Sequence, residues 1–153
     1  MIAFFTALGI GSIVVALISW LVAIANHRQN WINALRDDIS TFLKELETMH
    51  YAMGDLSGRS WDPLALEKAK REARVAVLFL YYRIVLRLNS TEDLHVELRS
   101  RLDALMNVTE KVPNREKIEE AVATARKVFK REWEVTKYGP LAPKIAHWKG
   151  REW

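Results

Sequence analysis

No cysteine occurs in the 153 residues, which excludes a disulfide framework and any thiol nucleophile and is compatible with a reducing compartment. Proline and glycine are also few, at four and six, and neither occurs between Ser12 and Met53. A stretch that long without a breaker predicts one continuous helix. The most informative absence is charge. From Ile2 to Ala25 there is no Asp, Glu, Lys or Arg, so the 23 basic and 19 acidic side chains all fall in the remainder. The 50% hydrophobic content rules out a disordered chain, and the length suits one soluble domain beside that apolar segment.

Twenty-four uncharged residues at ~1.5 Å rise make a helix of roughly 36 Å, enough to cross a hydrocarbon core of about 30 Å. Residues 1–25 are therefore expected to be a transmembrane helix. Ala23-Ile24-Ala25 has the small-x-small form of a signal cleavage site, but no Lys or Arg precedes the run, and it exceeds the roughly 7–15 apolar residues of a signal peptide. The expectation is an uncleaved anchor. Arg28, Arg36 and Lys44 follow the span and no basic residue precedes it, which orients the N-terminus outside and the remainder in the cytoplasm. Gly9, Ser12, Ala16, Ser19 and Ala23 recur at three- and four-residue steps, a stripe that lets another copy approach and predicts the oligomer contact. No side chain in the span is ionisable, so it lacks the groups that mark an ion path.

The soluble part reads as four helices. Ile32, Leu35, Ile39, Phe42, Leu43, Leu46, Met49 and Met53 keep helical spacing, so the transmembrane helix runs on into the first. Gly54 to Gly58 supplies turn residues, and Asp62-Pro63 is an N-cap followed by proline at the first helical position. The second helix is expected to reach about Leu88. Its Val75 to Tyr82 block is too short to span a bilayer and is flanked by Arg71, Arg74, Arg83 and Arg87, so it reads as a central core helix. Ser90 or Thr91 caps a third helix through Val108, carrying Leu94, Leu98, Leu102, Leu105 and Met106. After the corner at Pro113-Asn114, a fourth runs from Arg115 to about Tyr138 with Ile118, Val122, Ala125, Phe129 and Trp133 on one face. Short connections make the prediction all-α: a transmembrane helix continuing into an antiparallel four-helix cytoplasmic bundle over 26–138, then a basic, aromatic tail over 139–153.

Glu-x-x-His occurs at Glu47/His50 and Glu92/His95, the spacing of carboxylate-bridged metal sites in helical bundles. The expected topology puts the two at opposite ends of the bundle, so no single centre uses both, and no metal site is expected. Zincin spacing, a Gly-rich phosphate loop, a nucleophile elbow and a recognisable triad are all missing from the sequence. The expectation is a protein that is not an enzyme and takes no cofactor.

Charge is concentrated late. Arg126 to Trp153 holds eight Lys or Arg against three Glu, within a total of +4. Trp133, Tyr138, Trp148 and Trp153 lie in the same stretch. Cations mixed with aromatic rings suit an anionic headgroup zone. They would also stack on single-stranded nucleic acid, but the topology returns the tail to the bilayer, which favours lipid. The predicted membrane-surface residues are Arg28, Trp31, Lys144, Trp148 and Lys149.

The stretch His27 to Asp38 contains Arg28-Gln29-Asn30-Trp31-Ile32-Asn33-Ala34-Leu35-Arg36. It resembles the juxtamembrane sequence of small bacterial and prophage-borne membrane proteins that carry an Arg-Gln-x-Trp-Ile-x-x-Leu-Arg signature. The resemblance covers about the first fifty residues; it implies a bacterial or phage source, hence an inner membrane, and brings no activity with it. The leading expectation is a self-associating, inner-membrane-anchored helical scaffold or adaptor that binds an unidentified protein partner at the cytoplasmic face. The alternative is a membrane-perturbing or pore-forming effector in phage exclusion or antiphage defence, which draws on the small-residue stripe and the resemblance but lacks a polar lining.

Overall fold

Helical spacing without breakers gives the outcome expected of it. The computed structural model describes residues 2–54, 63–106 and 114–138, and every regular element among them is helical: α1 (Ile2–Gly54), α2 (Pro63–Val85), α3 (Asp93–Met106) and α4 (Arg115–Tyr138). α1 passes unbroken from the apolar segment into the first soluble helix. It is long and apolar enough to cross a membrane, with a window of mean hydropathy 1.4 of which 0% is buried within the chain. Residues 55–58 of the expected first turn, the Asp62 cap, the expected end of the third helix at Val108, Pro113 of the next corner and the tail at 139–153 lie outside the described residues.

The chain divides into two compact units, Met1–Asn33 with Arg131–Trp153, and Ala34–Lys130. In the first, all described side chains from Gly11 to Ile24 are exposed, and a Cβ added at Gly11 would meet nothing within 4 Å. Further along, Arg28 of α1 reaches the buried carboxylate of Glu132 on α4 at 3.4 Å.

In the second unit, neighbouring helices pair in opposite senses. Glu97 accepts a hydrogen bond from Thr124 at 3.2 Å while Arg101 meets Glu120 at 2.6 Å, so α3 and α4 are antiparallel. Asp38 of α1 meets Arg83 late in α2 and Arg87 just past its end, whereas Met49 lies beside Glu67, Lys70, Arg71 and Arg74 early in it. That pair is antiparallel as well. Leu35, Ile39, Phe42, Leu46 and Met49 are buried as their spacing predicts, and Leu98, Leu102 and Leu105 are buried on α3.

Three expectations need correction. α2 ends at Val85 rather than Leu88: Arg87 and Leu88 donate to Ile84 and Val85, three residues back, so the helix tightens and stops. Neither Ser90 nor Thr91 caps α3. Asn89 shapes the turn instead, its side-chain oxygen accepting from the Thr91 N–H at 3.1 Å and its amide donating to Glu92, whose carbonyl takes the first helical bond, from Val96. α4 is rotated from the expected face. Ala125 is buried as expected, but Ala121, Thr124 and Val128 are buried beside it, Ile118, Val122 and Phe129 are only half-buried, and Trp133 is 52% exposed. Its start is as read, with Asn114 accepting from the Lys117 N–H at 3.3 Å as N-cap.

Candidate functional site

Asp38 occupies an apolar stripe. It stands three residues after Leu35 and four before Phe42, and its helix face is turned into the packed side of α1, where the residue is 1% exposed. A carboxylate there requires compensation. The end of α2 and the turn after it supply two arginines: Arg83 bonds Oδ1, and Arg87 Nε donates to Oδ2 at 2.7 Å. Burial by itself pushes the Asp38 carboxyl up. Hydrogen bonds and charge from Arg83 and Arg87 outweigh that and hold it below the usual carboxylate range, while the same contact raises Arg83. The Arg83 side chain is 45% exposed and its guanidinium also lies 5.8 Å from the Phe79 ring centroid. Both carboxylate oxygens are occupied, so this group is a clamp between α1 and α2 rather than an acid or base poised for a substrate.

Three further groups accompany the clamp. At the α2–α3 turn, the Asn89 N–H donates to Nδ1 of His95 at 2.9 Å, which needs that nitrogen unprotonated, and His95 is 3% exposed. Nearby, the Tyr81 hydroxyl donates to Asp103; burial, and then that carboxylate, push the phenol above its ordinary value. At the other end of the α1–α2 pairing, Met49, Glu67, Lys70, Arg71 and Arg74 line an open cleft of about 340 Å³ with an excess of positive charge. Because Asp38 pairs late in α2 and Met49 early, the Glu92/His95 turn and the Glu47/His50 motif stand at different ends of the α1–α2 pair.

The predicted site residues are placed as follows. Ser12, Ala16, Ser19 and Ala23 are exposed, and so are the larger residues around them. Gly9 is helical. Arg28 is held by Glu132, and Trp31 is half-buried beyond it. Lys144, Trp148 and Lys149 lie outside the described residues.

Sequence reading missed the clamp, although a charged residue within the Leu35–Phe42 stripe is a legible sign of a buried ion pair. It also missed the outer face of α2. Val77, Leu80 and Ile84 are buried, but Val75, Phe79, Tyr82 and Leu86 are 58%, 62%, 59% and 86% exposed. The apolar block read as a central core helix is packed on one side only.

No protein-family model, curated protein or solved structure matches the chain.

Proposed function

We propose that the chain is a membrane-anchored, self-associating helical scaffold or adaptor, standing as an antiparallel four-helix bundle on its N-terminal helix at the cytoplasmic face of a bacterial inner membrane. The observation that carries this reading is the long α1, whose most apolar window has no part buried within the chain and whose residues 11–25 carry no charge. Such a surface has one low-energy surrounding, lipid or another apolar helix. Gly9, Ser12, Ala16, Ser19 and Ala23 form the face on which copies meet.

Lipid contact next to the span falls to Arg28, Trp31, Lys144, Trp148 and Lys149. The exposure of Trp133, with the Lys137 ammonium 5.1 Å from the Tyr138 ring centroid, supports an aromatic and cationic zone at the end of α4. The cleft over Lys70, Arg71 and Arg74 suits an acidic segment of a protein partner.

The decisive experiment compares the mass of the full-length protein in nanodiscs with that of residues 26–153. An oligomer formed by the full chain and lost when Gly9 and Ala16 become Leu is the expected result. A monomeric full-length protein overturns the self-association. Expression is expected to leave the membrane potential unchanged; its collapse would replace the scaffold by a pore-forming effector.

A further inference from the structure

Cations of the α2 segment face α1 at two places. Lys70 stands seven residues before Val77 and fourteen before Ile84, which are 1% and 0% exposed, so it lies on the side of α2 that packs inward. Lys70 itself is half-buried, and Arg74 follows four residues later. Arg83 and Arg87 have the same spacing, and there Asp38 of α1 takes both. Met49 is eleven residues, or about three turns, beyond Asp38 and so shares its helix face. In an antiparallel pair that step moves the facing position back along α2 by as much, from Arg83 and Arg87 to the neighbourhood of Arg74, beside which Met49 is found.

The α1 helix thus offers a carboxylate at one end of the seam and a thioether at the other. Among the described residues Lys70, Arg71 and Arg74 make no ion pair. In place of a pair stands the open cleft of about 340 Å³, at the lower end of the roughly 300–1,000 Å³ usual for ligand sites. From this repeated arrangement we infer that the cleft seats a carboxylate brought by a partner: an Asp or Glu side chain of an acidic protein segment, held by Lys70 and Arg74 as Asp38 is held by Arg83 and Arg87.

The chemistry of the lining narrows the occupant. Guanidinium and carboxylate match through paired hydrogen bonds, and exposed Arg71 attracts a second acidic residue from the rim. Met49 gives the methylene groups of the incoming side chain an apolar surface. Glu67 lines the same cleft, and its charge opposes a compact polyanion such as phosphate more than a single carboxylate on an apolar stem. A small free carboxylate has little beyond the cleft to hold it, whereas a segment adds contacts outside. The assignment rests on the adaptor reading and gives the partner a chemistry.

The full-length protein in phosphatidylcholine nanodiscs is titrated with a fluorescent peptide of about ten Glu and Leu residues, and with the same peptide carrying Gln for Glu. The Glu peptide is expected to bind at least about tenfold more tightly than the Gln peptide. Lys70→Gln with Arg74→Gln should weaken it at least about tenfold, while Lys127→Gln with Lys130→Gln, which removes two exposed cations from α4, should change it less than about twofold. Met49→Glu supplies the carboxylate from α1 and should abolish binding with unchanged helicity; Met49→Gln, similar in shape but uncharged, should keep it. Equal binding of the two peptides, equal loss from the two double variants, or binding that survives Met49→Glu overturns the proposal. So does citrate or inorganic phosphate binding as tightly as the peptide, or capture of phosphatidylglycerol in its place. If the peptide fails while the full chain still forms an oligomer, the cleft assignment falls and the scaffold stands; if the chain is monomeric and the peptide still binds, self-association falls and the cleft stands.

Discussion

Asp38 shows how much one side chain's setting matters. As a surface aspartate it would tune solubility; within the Leu35–Phe42 stripe it links two helices through Arg83 and Arg87. Asp38→Asn keeps the shape and removes the charge, leaving two guanidinium groups facing a neutral amide. The expected loss is about 2 kcal/mol in thermal unfolding of the detergent-solubilised protein, below the roughly 3–5 of a fully buried pair because both arginines keep contact with water. The pH dependence has a definite sign. The folded carboxyl titrates below its unfolded value of about 3.9, so its stabilisation is complete above that value and lost as pH falls through the lower, folded one. The difference between wild type and Asp38→Asn should be flat from pH 7 to about 5 and close under acid. A gap that widens on acidification would contradict the clamp.

At the scale of the helix, burial separates residues that look alike in sequence. Leu98 on α3 is 0% exposed, whereas Leu86, one residue past α2, is 86% exposed. Leu98→Ala is expected to cost about 2–5 kcal/mol through lost transfer energy and a cavity. Leu86→Ala should change stability by less than about 0.5 kcal/mol. Denaturant midpoints of the two variants check the difference. Asn89→Ala tests the turn: loss of its bonds to Thr91 and Glu92 should lower stability by about 1 kcal/mol, and Ser90→Ala, a substitution at an expected cap, should not.

For the whole molecule, the prediction concerns solvent. If α1 crosses a bilayer, the full chain stays with membranes through alkaline carbonate extraction and residues 26–153 are released; release of the full chain would mean that its apolar window is covered by protein instead. Most of the helical architecture was legible before any coordinates. The α1 continuity followed from the absence of Pro and Gly after Gly11, the start of α4 from Pro113-Asn114, and the α1 and α3 cores from three-four spacing. Less legible was the face of α4. Ile118, Phe129 and Trp133 outweigh alanine on any hydrophobicity scale, yet beside the expected Ala125 the buried residues are Ala121, Thr124 and Val128. The candidate site was the least legible part, since Asp38 and Arg83 are 45 residues apart and no local pattern links them.

Sequence alone determined which segments are helical, where breakers separate them, and that 24 residues carry no charge. These are properties of local composition and of a 3.6-residue period, which act within a few turns of chain. Tertiary structure decided which side of each helix is covered: that Asp38 meets two arginines, that Trp133 faces outward, and that α2 keeps a second apolar face. Burial depends on what an element meets in space, and the same apolar run is core on one side and exposed on the other.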